Sequence, residues 1–190
     1  MQINELDASK KPMQNVKQRF FALRNGMLAD TLRRAGSPYR IIFGLNLPQL
    51  QQVASAFGVN PDLADELWND TAVRESRLLA PMLVNPQEFN KQKASEWLGN
   101  LTGATEELDI LCHALLRKTS FASEIAQELI ASNDSLMRYV ALRLYFSQVS
   151  TSPAAVAEIA QKEMERNDNL TFRVANQLKE EAEFVLESNG

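Results

Sequence analysis

The side chain best suited to chemistry is the carboxylate of Asp109, which sits in the acid-rich stretch of residues 105–109. An apolar stripe runs through the same segment: Leu108, Leu111, Cys112 and Leu115. Because one step along a helix turns the chain by about 100°, Asp109 should lie at the edge of that stripe. His113 follows four residues later on the same face. Two interpretations remain open, an ion pair with His113 at the core boundary or a carboxylate that takes part in function.

Metal chemistry is not expected, because His113 is the only histidine and no cluster of Asp, Glu and His has ligand spacing. The sequence also lacks a glycine-rich phosphate loop, a nucleophile elbow and a catalytic Cys–His pair. The only cysteine, Cys112, lies within the apolar stripe, so we expect it to be a buried packing residue. No intrachain disulfide is possible with one cysteine.

Several cations could contact phosphates along one edge of a groove. Arg138 and Arg143 share one predicted helix, and Arg117 and Lys118 end the hairpin before it. Cations at the C-terminal ends of helices are also favoured for purely local reasons, so a structural role stays open for all four.

Composition favours a globular protein of one domain, with 190 residues, 45% of them apolar. We expect residues 1–12 to form a mobile leader and residues 13–190 a single helical-repeat domain. No signal peptide or membrane-length apolar run is present, which predicts a cytoplasmic protein with no membrane partner. The net charge of −4 argues against a general nucleic-acid footprint, yet residues 1–40 hold eight basic and three acidic side chains.

Hydrophobic periodicity predicts an almost entirely α-helical chain with short loops. The predicted helices cover residues 13–34 (with a break near 25–26), about 48–57, 61–68, 72–83, 86–99, 104–117, 120–132, 134–149, 153–166 and 169–187. Asn46 should cap the helix that Pro48 enters, and Gly58 should close it. The β-like run at residues 39–45 has no partner strand, so we expect a loop or a helical turn.

A 34-residue repeat relates the last two helix pairs. In each copy an Asn-Asp pair makes the turn and caps the next helix, and the same apolar stripe follows. The matching positions are Ala126-Gln127 with Ala160-Gln161, Asn133-Asp134 with Asn167-Asp168, Leu136 with Leu170, Val140-Ala141 with Val174-Ala175, and Leu144 with Leu178. A fixed period of this length predicts an all-α fold, an α-α superhelix (solenoid) of antiparallel helix pairs.

Three stretches together resemble a known family. Residues 42–50 carry Gly-x-x-x-Pro followed by Leu, and residues 63–68 and 74–80 then follow at the expected spacing. They are similar to the "Leu-Trp … Glu-x-Arg-x-x-Ala" region of the AlkD-type, HEAT-like DNA alkylation-repair proteins. The resemblance implies a curved stack of helix pairs that holds duplex DNA. In the glycosylase members it also implies removal of N3- or N7-alkylated purines without a metal or an organic cofactor.

The resemblance also assigns roles to individual positions. The family's catalytic aspartate falls on Asp109 and its phosphate-holding arginine on Arg138. The positions of three family aromatics fall on Thr105, Ser135 and Gln177, none of which has an aromatic face. The pattern therefore implies an active site that keeps its carboxylate and arginine but lacks its aromatic walls.

Two functions fit the sequence. One is an AlkD-like protein that binds duplex DNA, with glycosylase activity based on Asp109. The other is a non-catalytic HEAT-like scaffold that binds a protein partner, which the acidic total charge and the missing aromatics favour.

Overall fold

The structure is a computed structural model that describes residues 9–188, and it is all-α. Eleven α-helices lie within those residues: α1 Pro12–Leu23, α2 Gly26–Arg34, α3 Leu47–Phe57, α4 Pro61–Asn69, α5 Arg74–Leu79, α6 Lys91–Leu98, α7 Thr105–Ile110, α8 Ala122–Ile130, α9 Ser135–Tyr145, α10 Pro153–Glu165 and α11 Phe172–Ser188. None of the described helices is both long enough and apolar enough to cross a membrane. Most of the predicted leader lies outside the described residues, and α1 begins at its last residue, Pro12.

The described residues fall into two compact units. The first unit contains the chain up to Phe89 together with Gly99–Leu111, and the second contains Asn90–Leu98 together with the chain from Cys112 onward. The first unit therefore holds α1–α5 and α7, and the second holds α6 and α8–α11. The single domain expected for residues 13–190 stays a prediction.

Local capping explains where the helices of the first unit begin and end. Asn46 caps α3 by accepting a hydrogen bond from the backbone of Gln49 at 3.0 Å, and the Gln49 side chain accepts one from the Asn46 backbone at 3.0 Å. Gly58 ends α3 with a φ of 63°, as predicted. Asn25 caps α2 in the same way, through a 3.1 Å hydrogen bond from Leu28 N, so the predicted break near residues 25–26 is confirmed.

Residues 39–45 form an extended loop rather than a helical turn. Ile41 makes a parallel β-bridge with Val73, through hydrogen bonds of 2.9 Å from Ile41 N to the Ala72 oxygen and 3.1 Å from Arg74 N to the Ile41 oxygen. Tyr39, Ile42 and Leu45 are buried along this run. The bridge pairs the backbone groups of Ile41, and the Glu75 carboxylate accepts hydrogen bonds from the amides of Phe43, Gly44 and Leu45, so most of the donors that a lone strand would leave unpaired are satisfied.

Several predicted helices are shorter or less regular than expected; the one predicted over 72–83, for example, is α-helical only at Arg74–Leu79 and continues as the 3-10 segment Ala80–Leu83. Residues 86–90 form a turn, so α6 begins at Lys91 and the predicted start at Pro86 is wrong. The predicted helix over 104–117 becomes α7, then a π-helical segment Leu111–Leu115 and a 3-10 segment Leu116–Lys118. A π segment adds residues to a turn, so it changes the face on which later residues lie. Periodicity of 3.6 cannot reveal such a shift.

The 34-residue repeat appears as two helix hairpins, α8–α9 and α10–α11, that pack in the second unit. The shared stripe is buried in both copies: Val140, Ala141 and Leu144 in α9, and Val174, Ala175 and Leu178 in α11. Asp134 caps α9 by accepting from Leu136 N at 2.8 Å, and Asp168 accepts from Leu170 N at 2.9 Å. The repeat thus encodes both the packing face and the cap of each hairpin.

Candidate nucleic-acid site

Helix α7 carries the predicted catalytic carboxylate. Asp109 is partly exposed, while Leu108 beside it is fully buried, so Asp109 does lie at the edge of the apolar stripe. Glu106 precedes it by three residues, on the same face of the helix. Arg74 grips Glu106 with two hydrogen bonds, 2.8 Å from Nε to Oε1 and 2.7 Å from Nη2 to Oε2. This fork-shaped pair fixes the helix face on which Asp109 lies.

A fully buried ion pair anchors the opposite face of α7. Arg77 donates to Glu107 from Nε at 2.8 Å and from Nη2 at 2.9 Å, and both side chains are 0% exposed. The Arg77 guanidinium also stacks on the Trp68 ring, 3.5 Å from its centroid, and donates to the Trp68 carbonyl oxygen. A fourth hydrogen bond, of 2.6 Å from Nη2, reaches the Asn100 carbonyl oxygen. The pair is therefore fully hydrogen-bonded, which a buried charge requires.

Tyr39 and Thr102 complete the same network. The hydroxyl of Tyr39 donates to Glu107 Oε2 at 2.7 Å, and the Thr102 hydroxyl donates to the same oxygen at 2.8 Å. Burial alone would raise the pKa of Glu107, but the hydrogen bonds and charge of Arg77 outweigh it and lower that pKa. Burial, and after it the negative charge of Glu107, raises the pKa of the Tyr39 hydroxyl. Glu107 thus stays ionised and Tyr39 neutral.

Glu75 organises the loop that precedes α3. Its carboxylate is 0% exposed and accepts hydrogen bonds from three successive backbone amides, those of Phe43 at 3.0 Å, Gly44 at 2.9 Å and Leu45 at 3.3 Å. Arg74 Nη1 balances the charge at 3.0 Å. The two charged residues of the "Glu-x-Arg" motif therefore have structural roles, because Glu75 holds the loop before α3 and Arg77 holds α7.

Arg138, the predicted phosphate anchor, is 4% exposed and is bound within the second unit. Nε lies 2.8 Å from Glu163 Oε1 and Nη2 lies 2.7 Å from Asp168 Oδ2. Nη1 donates to the carbonyl oxygens of Ser132 at 3.1 Å and Asn133 at 2.9 Å. The hydrogen bond to Glu163, despite burial, raises the pKa of Arg138. A phosphate contact stays a prediction that requires these bonds to open.

The remaining predicted positions differ in exposure. Ser135 donates to Asp168 Oδ2 at 2.6 Å, the largest cause of the lowered pKa of Asp168. Thr105 and Gln177 are exposed, as are Arg117 and Lys118.

Arg143 and His113 are both engaged with neighbours of the second unit. The Arg143 guanidinium lies 5.5 Å from the Tyr139 ring centroid and 5.7 Å from that of Phe146. His113 Nε2 lies 3.2 Å from Arg117 Nη2. Desolvation, and then the charges of Arg117 and Lys118, lower the pKa of His113. An ion pair between His113 and Asp109 stays a prediction.

An open cleft of about 390 Å³ lies in the first unit, where the loop after α2 meets the start of α7. Thr105 and Glu106 form part of its wall, with Leu32 and residues 35–38 opposite. The position of a family aromatic therefore borders open space. The described residues contain no group of three or more His, Cys, Asp and Glu side chains able to hold a metal ion.

Comparison with known proteins gives the class of this protein. The model of the family described as DNA alkylation repair enzyme matches residues 16–187. The chain belongs to that family. No curated protein matches the chain.

One solved structure shows the same fold. It is described as a member of a new family of proteins related to the HEAT-like repeat DNA glycosylases, with affinity for branched DNA structures. It is 16% identical, and the match covers 87% of this chain and 73% of that one with a TM-score of 0.76. The likeness at this identity confirms the HEAT-like helical-repeat fold.

The sequence singled out the outer carboxylate of α7 but missed the buried one. Glu107 offers no sign of its role, because an acidic residue in an acid-rich stretch is ordinarily solvated. Residue 107 neighbours Leu108 just as Asp109 does, so the stripe spacing places both at its edges and does not show which of the two is buried. Its partner Arg77 lies thirty residues earlier, a distance that helical periodicity does not reach.

Proposed function

We propose that this protein binds DNA through its helical-repeat fold. The observation that carries the proposal is the family match over residues 16–187, together with the fold it shares with a relative that has affinity for branched DNA. We extend that affinity to this chain and propose branched and fully paired duplexes as its ligands. Arg117 and Lys118, both exposed, would contact phosphates.

The finer proposal is that Asp109 supports slow excision of N3- or N7-alkylated purines. The alkylated base already carries a positive charge, so it leaves without a general acid. As the glycosidic bond breaks, positive charge develops on the sugar, and a carboxylate beside it stabilises that charge. The base departs with the bonding electrons and becomes neutral, and water then adds to the sugar carbon and releases a proton to solvent. Two anchors, Arg74 on Glu106 and Arg77 on Glu107, hold α7 rigidly, as such a role requires.

The residues also explain why we expect slow excision. Aromatic faces stabilise cationic bases, and Thr105, Ser135 and Gln177 offer none. Arg138 is neutralised by Glu163 and Asp168 and is therefore less suited to attract a phosphate in this state.

Release of free methylpurine from alkylated duplex DNA tests the catalytic proposal. We expect release by the wild type and a loss of at least about tenfold with Asp109→Asn, because the amide removes the negative charge. Asp62→Asn is the matched control, since Asp62 is an exposed carboxylate of the same unit. Equal rates for Asp109→Asn and wild type, or no release by the wild type, would end the catalytic proposal while leaving DNA binding in place.

A non-catalytic scaffold that binds a protein is the second candidate. The neutralised Arg138 favours it, as does the net charge of −4. The discriminating measurement is a mobility-shift titration with duplex and branched DNA at low and physiological salt. Absence of a shift with both ligands at low salt would contradict DNA binding and leave the scaffold.

A further inference from the structure

The C-terminal end of α1 exposes an aromatic ring that carries a stacked arginine. Phe21 is 58% exposed, although it is large and apolar. The Arg24 guanidinium lies 3.9 Å from the centroid of that ring, and Arg24 Nη1 donates to the Phe21 carbonyl oxygen at 2.7 Å. The hydrogen bond closes the end of a helix, but it does not explain why the ring faces solvent. We call Phe21 and Arg24 the stacking platform.

The backbone beneath the platform is held by contacts with the neighbouring loop. Asn25 N donates to the Phe43 carbonyl oxygen at 2.8 Å, and Gln49 Nε2 donates to the Leu23 oxygen at 3.4 Å. The Asn25 carbonyl lies so close to Gly44 that a Cβ there would stand 2.2 Å from its oxygen. The turn and the loop can approach in this way only because residue 44 has no side chain.

The buried carboxylate of Glu75 holds the loop that contacts this turn. Glu75 binds the amides of Phe43 and Gly44, and those residues contact the turn at Asn25. A chain of rigid contacts therefore leads from a fully buried carboxylate to an exposed Phe–Arg pair. Preorganisation of this kind lowers the entropy lost when a ligand binds.

The charge of the segment that carries the platform suits nucleic acid. Residues 9–40 hold eight basic side chains and one acidic, in a protein whose net charge is −4. Lys17 is paired with Asp70, Arg33 with Asp30, and Arg19 is buried. Lys11, Arg24, Arg34 and Arg40 remain exposed. Exposed cations together with an exposed planar side-chain pair are typical of sites where unpaired bases stack on the protein and cations bind the adjacent nucleic-acid backbone.

We propose that the Phe21–Arg24 platform stacks on an unpaired base of DNA, while neighbouring cations hold the flanking phosphates. The proposal rests on the DNA binding proposed above and deepens it, because it assigns recognition of unpaired bases to a place on α1. The outer face of the guanidinium receives the base, and Phe21 supports the guanidinium from behind. Both faces are planar, so the contact tolerates any base.

Anisotropy titrations with two DNA probes test this proposal, one a fully paired duplex and the other the same duplex with a bulge of unpaired adenines. We expect wild type to favour the bulged probe. Phe21→Ala and Arg24→Lys should each weaken binding to the bulged probe by about tenfold, because each removes a planar surface, and should leave binding to the paired probe within about twofold. Arg24→Lys keeps the charge, so it separates stacking from electrostatics.

Phe184→Ala is the matched control, since Phe184 is 69% exposed on α11 of the second unit, and it should keep the wild-type preference. A 2-aminopurine in the bulge should lose fluorescence on binding to wild type but not to Phe21→Ala. Equal affinities of wild type for the two probes, or an unchanged preference in both platform variants, would overturn the stacking proposal alone. No binding of wild type to either probe would overturn DNA binding as well.

Discussion

At the scale of the residue, the side chains that dominate the first unit are buried and charged. Glu107 accepts hydrogen bonds from Arg77, Tyr39 and Thr102, and Glu75 accepts them from three backbone amides. Removing one partner of such a network leaves a buried charge uncompensated, which costs more than the pair itself contributes. We therefore expect Glu107 to position α7 and Glu75 to position the loop before α3, rather than to react.

The raised pKa of Tyr39 predicts a loss of stability in alkali. The folded protein keeps the hydroxyl proton at a pH where the unfolded chain releases it. This contribution is fully present below the ordinary tyrosine pKa of about 10 and is lost as the pH rises above it. Tyr39→Phe should reduce that alkaline decline, and it should cost about 2 kcal/mol at neutral pH because Glu107 loses a donor.

Urea unfolding of wild type and Tyr39→Phe between about pH 8 and pH 11 measures both effects. Tyr145→Phe is the matched control, since burial alone raises the pKa of Tyr145. Tyr145→Phe should keep the part of the alkaline loss of unfolding free energy that Tyr39 contributes. Parallel curves for wild type and Tyr39→Phe would contradict the role of Tyr39.

At the scale of the element, two residues fix how segments pack on their neighbours. Gly44 allows a close backbone contact, and Arg138 forms ion pairs between two hairpins; we call the latter the arginine clamp. Gly44 has a φ of 81° and lies against Asn25, so both the backbone conformation and the space exclude a side chain. Arg138 reaches from α9 to Glu163 on α10 and to Asp168, the cap of α11. It thereby joins one hairpin of the repeat to the next.

Gly44→Ala should destabilise the protein by at least about 2 kcal/mol, because strain at positive φ and a collision with backbone act together. Gly36→Ala separates the two causes, since Gly36 has a φ of 86° but open space around it. It should cost about 1 kcal/mol from backbone strain alone. Thermal and urea unfolding give the comparison, and equal losses in the two variants would show that the contact with Asn25 is unimportant.

Arg138→Met should cost about 3 kcal/mol, because Glu163 would be left 2% exposed and without its closest cation. Arg166→Met is the control, since Arg166 binds the same carboxylate at 3.2 Å but is 46% exposed. We expect it to cost less than about 1 kcal/mol. Urea unfolding measures the free energy of unfolding of both variants. Similar losses for Arg138→Met and Arg166→Met would show that Arg138 does not clamp the two hairpins.

At the scale of the whole molecule, charge is distributed unevenly along the chain. The net charge of −4 coexists with eight basic side chains and one acidic within residues 9–40. Proteins that bind DNA release counterions as cations meet phosphates, so local charge matters more than the total. The N-terminal part of the first unit is therefore where we expect electrostatic binding to concentrate.

Affinity for a paired duplex should fall with salt along a log–log slope of about −3 if Lys11, Arg34 and Arg40 each meet one phosphate. The double variant Arg34→Ser/Arg40→Ser should reduce the magnitude of that slope by about two, since each lost phosphate contact removes about 0.9. Titrations at several salt concentrations measure both slopes. An unchanged slope would move the binding surface elsewhere, with Arg117→Ser/Lys118→Ser as the next pair to compare.

Sequence alone determined the fold class, the repeat and most helix limits, because these follow from local periodicity and capping. The Asp134 and Asp168 caps, the buried α9 and α11 stripes and the break at Asn25 all needed only neighbouring residues. Cys112 is buried, as the apolar stripe predicted.

Only the tertiary structure decided which charged side chains are bound in buried ion pairs. Arg138 binds carboxylates 25 and 30 residues away, and Arg77 binds one 30 residues away. The identity of a charged residue does not show whether its side chain meets water, a phosphate or a buried partner. These environments differ in desolvation, which is set only once the helices have packed. The π segment after Asp109 and the exposed Phe21–Arg24 stack are hidden from the sequence for the same reason.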